Sequence, residues 1–112
     1  MEFFHNPRCR KSRETLQLLH SKGLQPEIVE YLDQVPTPKE IRNLLGKLGL
    51  KAEDLVRKNE ALYRSKFKDK DYSEAEWVTI LSDNPRLIER PILVKDNRAA
   101  LGRPPENVLR IL

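Results

Sequence analysis

The sequence of 112 residues is poor in cysteine, in histidine and in long apolar runs. A single cysteine excludes an internal disulfide, and with it a secreted scaffold held together by such bonds. One cysteine and two histidines are too few for a Cys/His zinc site, so we expect no bound metal. No run of apolar residues is longer than four, which excludes a transmembrane span and a signal-peptide core. We therefore expect a cytoplasmic protein without a membrane partner.

A long run of charge of one sign is also missing. The 21 basic and 17 acidic side chains give a net charge of +4, but they alternate through segments such as 66–71, which is typical of a solvated surface. Because there is neither a basic tail nor a basic stripe interleaved with aromatic residues, we expect no nucleic-acid partner. The one local excess surrounds the single cysteine, Cys9, and consists of Arg8, Arg10, Lys11 and Arg13.

The order of predicted elements indicates an α/β fold. Alternation and turn signals predict strands over 2–5, 27–31, 91–94 and 98–101. Apolar periodicity predicts helices over 12–22, 38–48, 53–56, 74–83 and 105–112. A strand–helix–strand opening implies a parallel pair of strands, and the terminal hairpin adds an antiparallel edge. The sequence therefore predicts a thioredoxin-like (glutaredoxin-like) mixed four-stranded sheet in a single domain, 1–112, with a helical insertion between Thr37 and Asn84.

Local signals mark several helix ends. Thr37 with Glu40, and Ser73 with Glu76, each have the spacing of a capping box. Gly23 is expected to end the first helix. Leu16, Leu19 and His20 are predicted to lie on one side of the first helix. In the last helix, the residues predicted to face inward are Val108, Leu109 and Leu112.

Cys9 lies between the end of the first predicted strand and the start of the first helix. The positive end of a helix dipole favours an anion, so a cysteine there ionises readily and becomes a nucleophile. Ser12 and the helix amides can donate hydrogen bonds to the sulfur or to a bound oxyanion. The alternative is an inert, buried cysteine. The charged neighbours Arg8 and Arg10 favour the reactive thiolate.

The residues after Cys9 narrow the chemistry. Ser12 occupies the second cysteine position of a C-x-x-C frame, so no partner thiol is at hand. A low-molecular-weight phosphatase loop would need arginine six residues after the cysteine, where this chain has Thr15. If Cys9 is oxidised in turnover, an outside thiol must therefore regenerate it.

Three downstream arginines, Arg57, Arg90 and Arg103, are candidate oxyanion ligands, because guanidinium is a natural fork for a tetrahedral anion. By sequence alone each is more often an ordinary surface arginine. Arg90-Pro91 is the most suggestive, since a strand-opening proline near a thiolate is a plausible cis site. His5 either tunes the thiolate or is an ordinary strand-end histidine.

Four segments together resemble a known family. They are His5-Asn6-Pro7-Arg8-Cys9-Arg10-Lys11-Ser12-Arg13, Leu55-Val56-Arg57-Lys58-Asn59-Glu60, Leu87-Ile88-Glu89-Arg90-Pro91-Ile92-Leu93-Val94 and Gly102-Arg103-Pro104. Their order and motifs resemble the ArsC-type glutathione/glutaredoxin-dependent arsenate reductases, of the ArsC/Spx/YffB superfamily. The resemblance covers nearly the whole chain and implies a thioredoxin-like fold. The family's usual Gly-Thr or Ser-Lys after the cysteine is Arg10-Lys11 here.

The resemblance also implies a mechanism and a role in arsenic detoxification. Cys9 would attack arsenate, and glutathione and glutaredoxin would resolve the adduct and release arsenite, with no bound cofactor. The implied catalytic residues are Cys9, Arg57, Arg90 and Arg103. The implied substrate-binding residues are His5, which would lower the thiol pKa, Ser12, Arg13 and Pro91. The expected partners are arsenate or a similar oxyanion, glutathione and glutaredoxin, and the expected state is a monomer.

Two alternatives remain open at this stage. The first is a related glutathione-dependent reductase of another substrate, which would share the chemistry at Cys9. The second is a regulator like the Spx proteins, which bind RNA polymerase and sense oxidants with a C-x-x-C pair. Ser12 stands in the second cysteine position here, so that switch is missing.

Overall fold

The computed structural model describes residues 1–112 as two compact units. The sheet unit consists of Met1–Gln34 and Arg90–Leu112. The helical unit is the intervening segment, Val35–Glu89. It contains the helical insertion predicted between Thr37 and Asn84 and extends beyond it at both ends. No helix is long and apolar enough to cross a membrane.

The sheet unit has the predicted mixed sheet of four strands. Its elements are β1 (Glu2–Phe4), α1 (Arg10–Ser21), β2 (Glu27–Val29), β3 (Ile92–Lys95), β4 (Arg98–Leu101) and a final 3₁₀ helix, Pro105–Ile111. The strand order is β2-β1-β3-β4. Strand β1 is parallel to β2 and antiparallel to β3, and β3 and β4 form an antiparallel hairpin. The thioredoxin-like prediction is therefore confirmed.

The core of the sheet unit lies between the sheet and the two helical segments that cover it. Strand β3 lies inside the sheet and carries three consecutive buried residues, 92–94. The buried residues of the core cluster are Phe3, Leu19, Leu93, Ala100, Val108 and Ile111.

One residue on the predicted side of α1 is not buried, and one inward-facing prediction for the last helix was wrong. His20 is exposed, because the buried residues of α1 are Ser12, Thr15 and Leu19, and this stripe does not include position 20. Leu112 is also exposed. The last segment is a 3₁₀ helix with three residues per turn, so its buried side repeats every third residue, at 105, 108 and 111. The prediction assumed the α-helical period.

Some boundaries differ from the predicted ones. Helix α1 begins at Arg10, two residues before the predicted start, and Cys9 is its N-cap. Strand β2 ends at Val29 because the chain turns at Glu30, whose carbonyl accepts from Asp33 N (2.9 Å) and Gln34 N (2.8 Å). Strand β3 begins after Pro91, which has no N–H for the sheet. The Arg90–Pro91 and Arg103–Pro104 bonds are both cis.

The helical unit is built from short elements with strong local caps. It contains α2 (Pro38–Leu48), α3 (Glu74–Asp83), 3₁₀ turns at Ala52–Leu55 and Pro85–Leu87, and a π-helical turn at Tyr63–Phe67. Both predicted capping boxes are present; in the first, Glu40 N donates to Thr37 Oγ1 (3.2 Å) and Thr37 N to Glu40 Oε1 (3.0 Å).

The π-helical turn was not predicted. Its residues Tyr63 and Phe67 lie against Trp77 of α3, with ring centroids 6.4 Å apart in both pairs. Tyr72 meets the same indole edge-on at 4.9 Å. Aromatic packing within the helical unit therefore positions this turn. No periodic pattern of apolar residues in the local sequence predicts it.

Candidate active site

Cys9 is held at the start of α1 by its own backbone. Its N–H donates to the Asn6 carbonyl at 3.0 Å, which closes a turn after β1. Its carbonyl accepts from Arg13 N at 3.0 Å, the first hydrogen bond of the helix. The sulfur therefore lies at the positive end of the helix dipole, as the sequence predicted.

The surroundings of Cys9 favour the thiolate. Burial by itself raises the pKa of the Cys9 thiol. Hydrogen bonding from the Ser12 N–H, from the Arg90 side chain and from the Lys11 N–H, together with the Arg90 charge, lowers it by more. The net effect is a pKa below the ordinary thiol value, so Cys9 is a better nucleophile near neutral pH than a free thiol.

Two of the three predicted arginines lie beside the sulfur. Arg90 is 8% exposed, and its Nε is a buried donor without a hydrogen-bond partner. Arg103 Nη2 lies 3.8 Å from Cys9 Sγ, and its Nε donates to the Arg90 carbonyl at 2.7 Å. A buried donor that lacks a partner needs an explanation, and a bound oxyanion supplies one here.

The residue directly before Arg103, Gly102, packs closely against Pro91 and Thr15. A Cβ at Gly102 would lie 2.7 Å from Pro91 Cγ and 2.7 Å from Thr15 Oγ1. The Gly102 N–H donates to the Pro91 carbonyl at 2.8 Å, and Thr15 Oγ1 donates to the Lys11 carbonyl at 2.7 Å. Sequence reasoning missed this contact among Gly102, Thr15 and Pro91. The only signal for it was a glycine directly before the Arg103-Pro104 pair.

His5 contacts Ser12. The imidazole is 8% exposed, its Nδ1 lies 2.6 Å from Ser12 Oγ, and the same oxygen accepts from Asn6 N at 3.0 Å. Burial lowers the pKa of His5, the nearby Glu30 raises it, and Arg13 lowers it. The net shift of the pKa is downward, so the ring is neutral near pH 7. His5 therefore supports the loop through the hydroxyl of Ser12, whose N–H faces the sulfur.

The remaining predicted residues have structural contacts. Arg13 Nη1 donates to the Pro7 carbonyl at 2.9 Å and so ties the loop to α1. Arg57 belongs to the helical unit, where its N–H donates to the Leu87 carbonyl at 2.6 Å and its Nη1 lies 3.5 Å from a carboxylate oxygen of Glu60.

The sheet unit thus brings Cys9, Arg90 and Arg103 together with the N-terminus of α1. No group of three or more His, Cys, Asp or Glu side chains is placed to hold a metal ion. A thiolate next to two guanidinium groups is suited to bind a tetrahedral oxyanion and to attack its central atom.

Comparisons with known proteins show which family and which proteins this chain is similar to. A family model described as the ArsC family matches residues 4–111. The chain is 44% identical to an arsenate reductase of Haemophilus influenzae, over 97% of this chain and 96% of that protein. It is 45% identical to the protein YfgD of Escherichia coli, over 100% of this chain and 96% of that one. A solved arsenate reductase from Vibrio cholerae superposes with a TM-score of 0.94 and 40% identity, over 100% of this chain and 98% of that one.

Proposed function

The chain belongs to the ArsC family, and from this we propose that it reduces arsenate to arsenite with glutathione and glutaredoxin as the source of electrons. The observation that carries the proposal is the Cys9 sulfur, with its lowered pKa, beside the guanidinium groups of Arg90 and Arg103. Proteins that are similar to this chain over almost their whole length are named arsenate reductases.

The first step is attack on the bound anion. The free Nε of Arg90 and the guanidinium of Arg103 hold arsenate oxygens next to Cys9. The Cys9 thiolate attacks arsenic, a sulfur–arsenic bond forms, and one oxygen leaves as water after protonation. Arg57, which the family resemblance assigns to the same anion, is proposed as a third ligand.

The second step transfers the electrons. A glutathione thiolate attacks the Cys9 sulfur, a disulfide forms, and the electron pair of the sulfur–arsenic bond passes to arsenic, which leaves as arsenite. Glutaredoxin then takes the glutathione sulfur and releases the Cys9 thiolate. One arsenate and two thiols thus give one arsenite, one disulfide and one water. The single cysteine supports this scheme, because both reducing thiols must come from outside the chain.

A coupled assay tests the proposal. The purified protein is mixed with arsenate, glutathione, glutaredoxin, glutathione reductase and NADPH, and NADPH oxidation is followed. We expect oxidation that depends on arsenate in the wild type and is lost in Cys9→Ser. If a known arsenate reductase is active in the same mixture and this protein is not, the proposal is wrong.

A further inference from the structure

A cavity of about 320 Å³ lies beside the Cys9 loop and has no role in the chemistry described so far. One wall is the loop from His5 to Arg8, and the other is the turn after β2, with Glu30, Leu32 and Asp33. All of these residues belong to the sheet unit.

The cavity combines charges of both signs that are not neutralised. The ion pairs of the protein include none of Arg8, Glu30 and Asp33, and the side chains of all three lack hydrogen-bond partners within the chain. Glu30 and His5 both line the cavity, and the Glu30 charge acts to raise the pKa of the His5 ring. Opposite charges that face one cavity without pairing complement a ligand that itself carries both charges.

The cavity is also within reach of the reactive sulfur. The hydrogen bond from Cys9 N to the Asn6 carbonyl closes a turn, and the α-carbons at the two ends of a turn lie within about 7 Å. In an extended γ-glutamylcysteine unit the thiol and the α-amino group are separated by between two and three extended residues, or about 9 Å. A thiol held at Cys9 can therefore place its amino-acid end in the cavity.

We propose that this cavity binds the γ-glutamyl end of the thiol co-substrate, with its α-carboxylate at Arg8 and its α-ammonium at Glu30 and Asp33. The inference rests on the proposed function for its ligand. Two carboxylates against one guanidinium favour the end of glutathione that carries an ammonium group over the glycine end, which carries only a carboxylate. The partly exposed Leu32 offers an apolar wall to the methylene groups between.

The test uses a reaction that needs no arsenate. The Cys9 thiolate attacks one sulfur of oxidised glutathione, a mixed disulfide forms on Cys9, and one reduced glutathione leaves. The rate of mixed-disulfide formation is followed by intact-protein mass spectrometry. It is divided by the rate of the same reaction with 2-hydroxyethyl disulfide, which has no amino-acid end. We expect Asp33→Asn and Arg8→Gln each to lower this ratio about ten-fold, because each removes a charge-assisted contact.

Matched controls make the outcome decisive. Glu27→Gln removes an exposed carboxylate of β2 outside the cavity and should keep the wild-type ratio. The disulfide of γ-glutamylcysteine should behave like oxidised glutathione, whereas the disulfide of cysteinylglycine should lose the preference. An unchanged ratio in both cavity variants, or a preference that follows the glycine end, overturns the inference. Failure of the arsenate assay alone overturns the proposed function and leaves this result standing.

Discussion

Two pairs of arginines, one pair in each unit of the molecule, have different surroundings. In the helical unit, Glu60 lies 3.5 Å from Arg57 and 3.0 Å from Arg86, so both guanidinium groups have a carboxylate partner. In the sheet unit, Arg90 and Arg103 lie next to Cys9, and neither forms an ion pair. The charges of Arg57 and Arg86 are thus compensated by Glu60, whereas those of Arg90 and Arg103 are left available to a thiolate and an anion.

The units also differ in what determines their conformation. The helical unit depends on neighbours in sequence, as in the capping boxes of Thr37 and Ser73. The site in the sheet unit depends on distant ones, as in the contact of Gly102 with Thr15 and Pro91. Substitutions in the sheet unit should therefore alter the chemistry. Substitutions in the helical unit, apart from that of the proposed anion ligand Arg57, should alter mainly stability.

Arg90→Gln should have the largest effect. It removes the guanidinium that hydrogen-bonds the sulfur and the free Nε donor, so kcat/KM for arsenate should fall at least about 100-fold. Arg90→Lys should recover only part of this loss, because an ammonium group is a point charge and cannot bind as a fork. Steady-state kinetics measures both, with Arg42→Gln, an exposed site on α2, as a control that keeps the wild-type rate. An Arg90→Gln enzyme of wild-type activity would contradict the assignment.

Gly102→Ala should have the next largest effect. The added methyl would lie 2.7 Å from both Pro91 Cγ and Thr15 Oγ1, and the strain should lower the free energy of unfolding by about 1–3 kcal/mol. Gly46→Ala in α2 is the matched control, since nothing lies within 4 Å of its added Cβ. That change should raise the free energy of unfolding by about 0.5–1 kcal/mol. Urea denaturation measures the free energy of unfolding of both variants. Equal changes in Gly102→Ala and Gly46→Ala would contradict the difference between the two units.

The pH dependence of Cys9 alkylation should show the lowered pKa directly. The rate with iodoacetamide should rise with pH to a midpoint below the ordinary thiol pKa of about 8.5. Arg90→Gln should move this midpoint upward. Because the native pKa is the lower one, the thiolate also stabilises the fold above the unfolded pKa, and this contribution is lost as the pH falls through the native pKa. A midpoint at the free-thiol value would contradict the thiolate.

The helix caps should have the smallest effect. Thr37→Ala and Ser73→Ala each remove one side-chain acceptor from a helix N-terminus, which should lower the free energy of unfolding by about 1 kcal/mol. Thr79→Ala, whose hydroxyl bonds only within α3, is the control. The alkylation midpoint of Cys9 should be unchanged in all three variants. A shift of that midpoint would show that the helical unit tunes the thiol.

Prediction from sequence succeeded where the signal was local. The two capping boxes, the glycine Gly23 after α1 and the hairpin of β3 and β4 depend on residues close in the chain, and each was identified. Placement of Cys9 at the start of α1 followed from the same kind of pattern.

Prediction failed where distant contacts decide. The π-helical turn depends on the packing of Tyr63 and Phe67 against Trp77, which no sequence period shows. The role of Gly102 depends on Thr15, which is far away in sequence. Leu112 was misplaced because a 3₁₀ segment repeats after three residues.

The hydrogen bond from Arg103 Nε to the Arg90 carbonyl couples the positions of the two arginines. A substitution of Arg103 removes one anion ligand and also releases the backbone that carries the other. The losses from the two single substitutions should therefore not add, and the double variant should be less impaired than their sum. The two guanidinium groups then bind the anion as one cooperative unit, and loss of either one removes most of the binding.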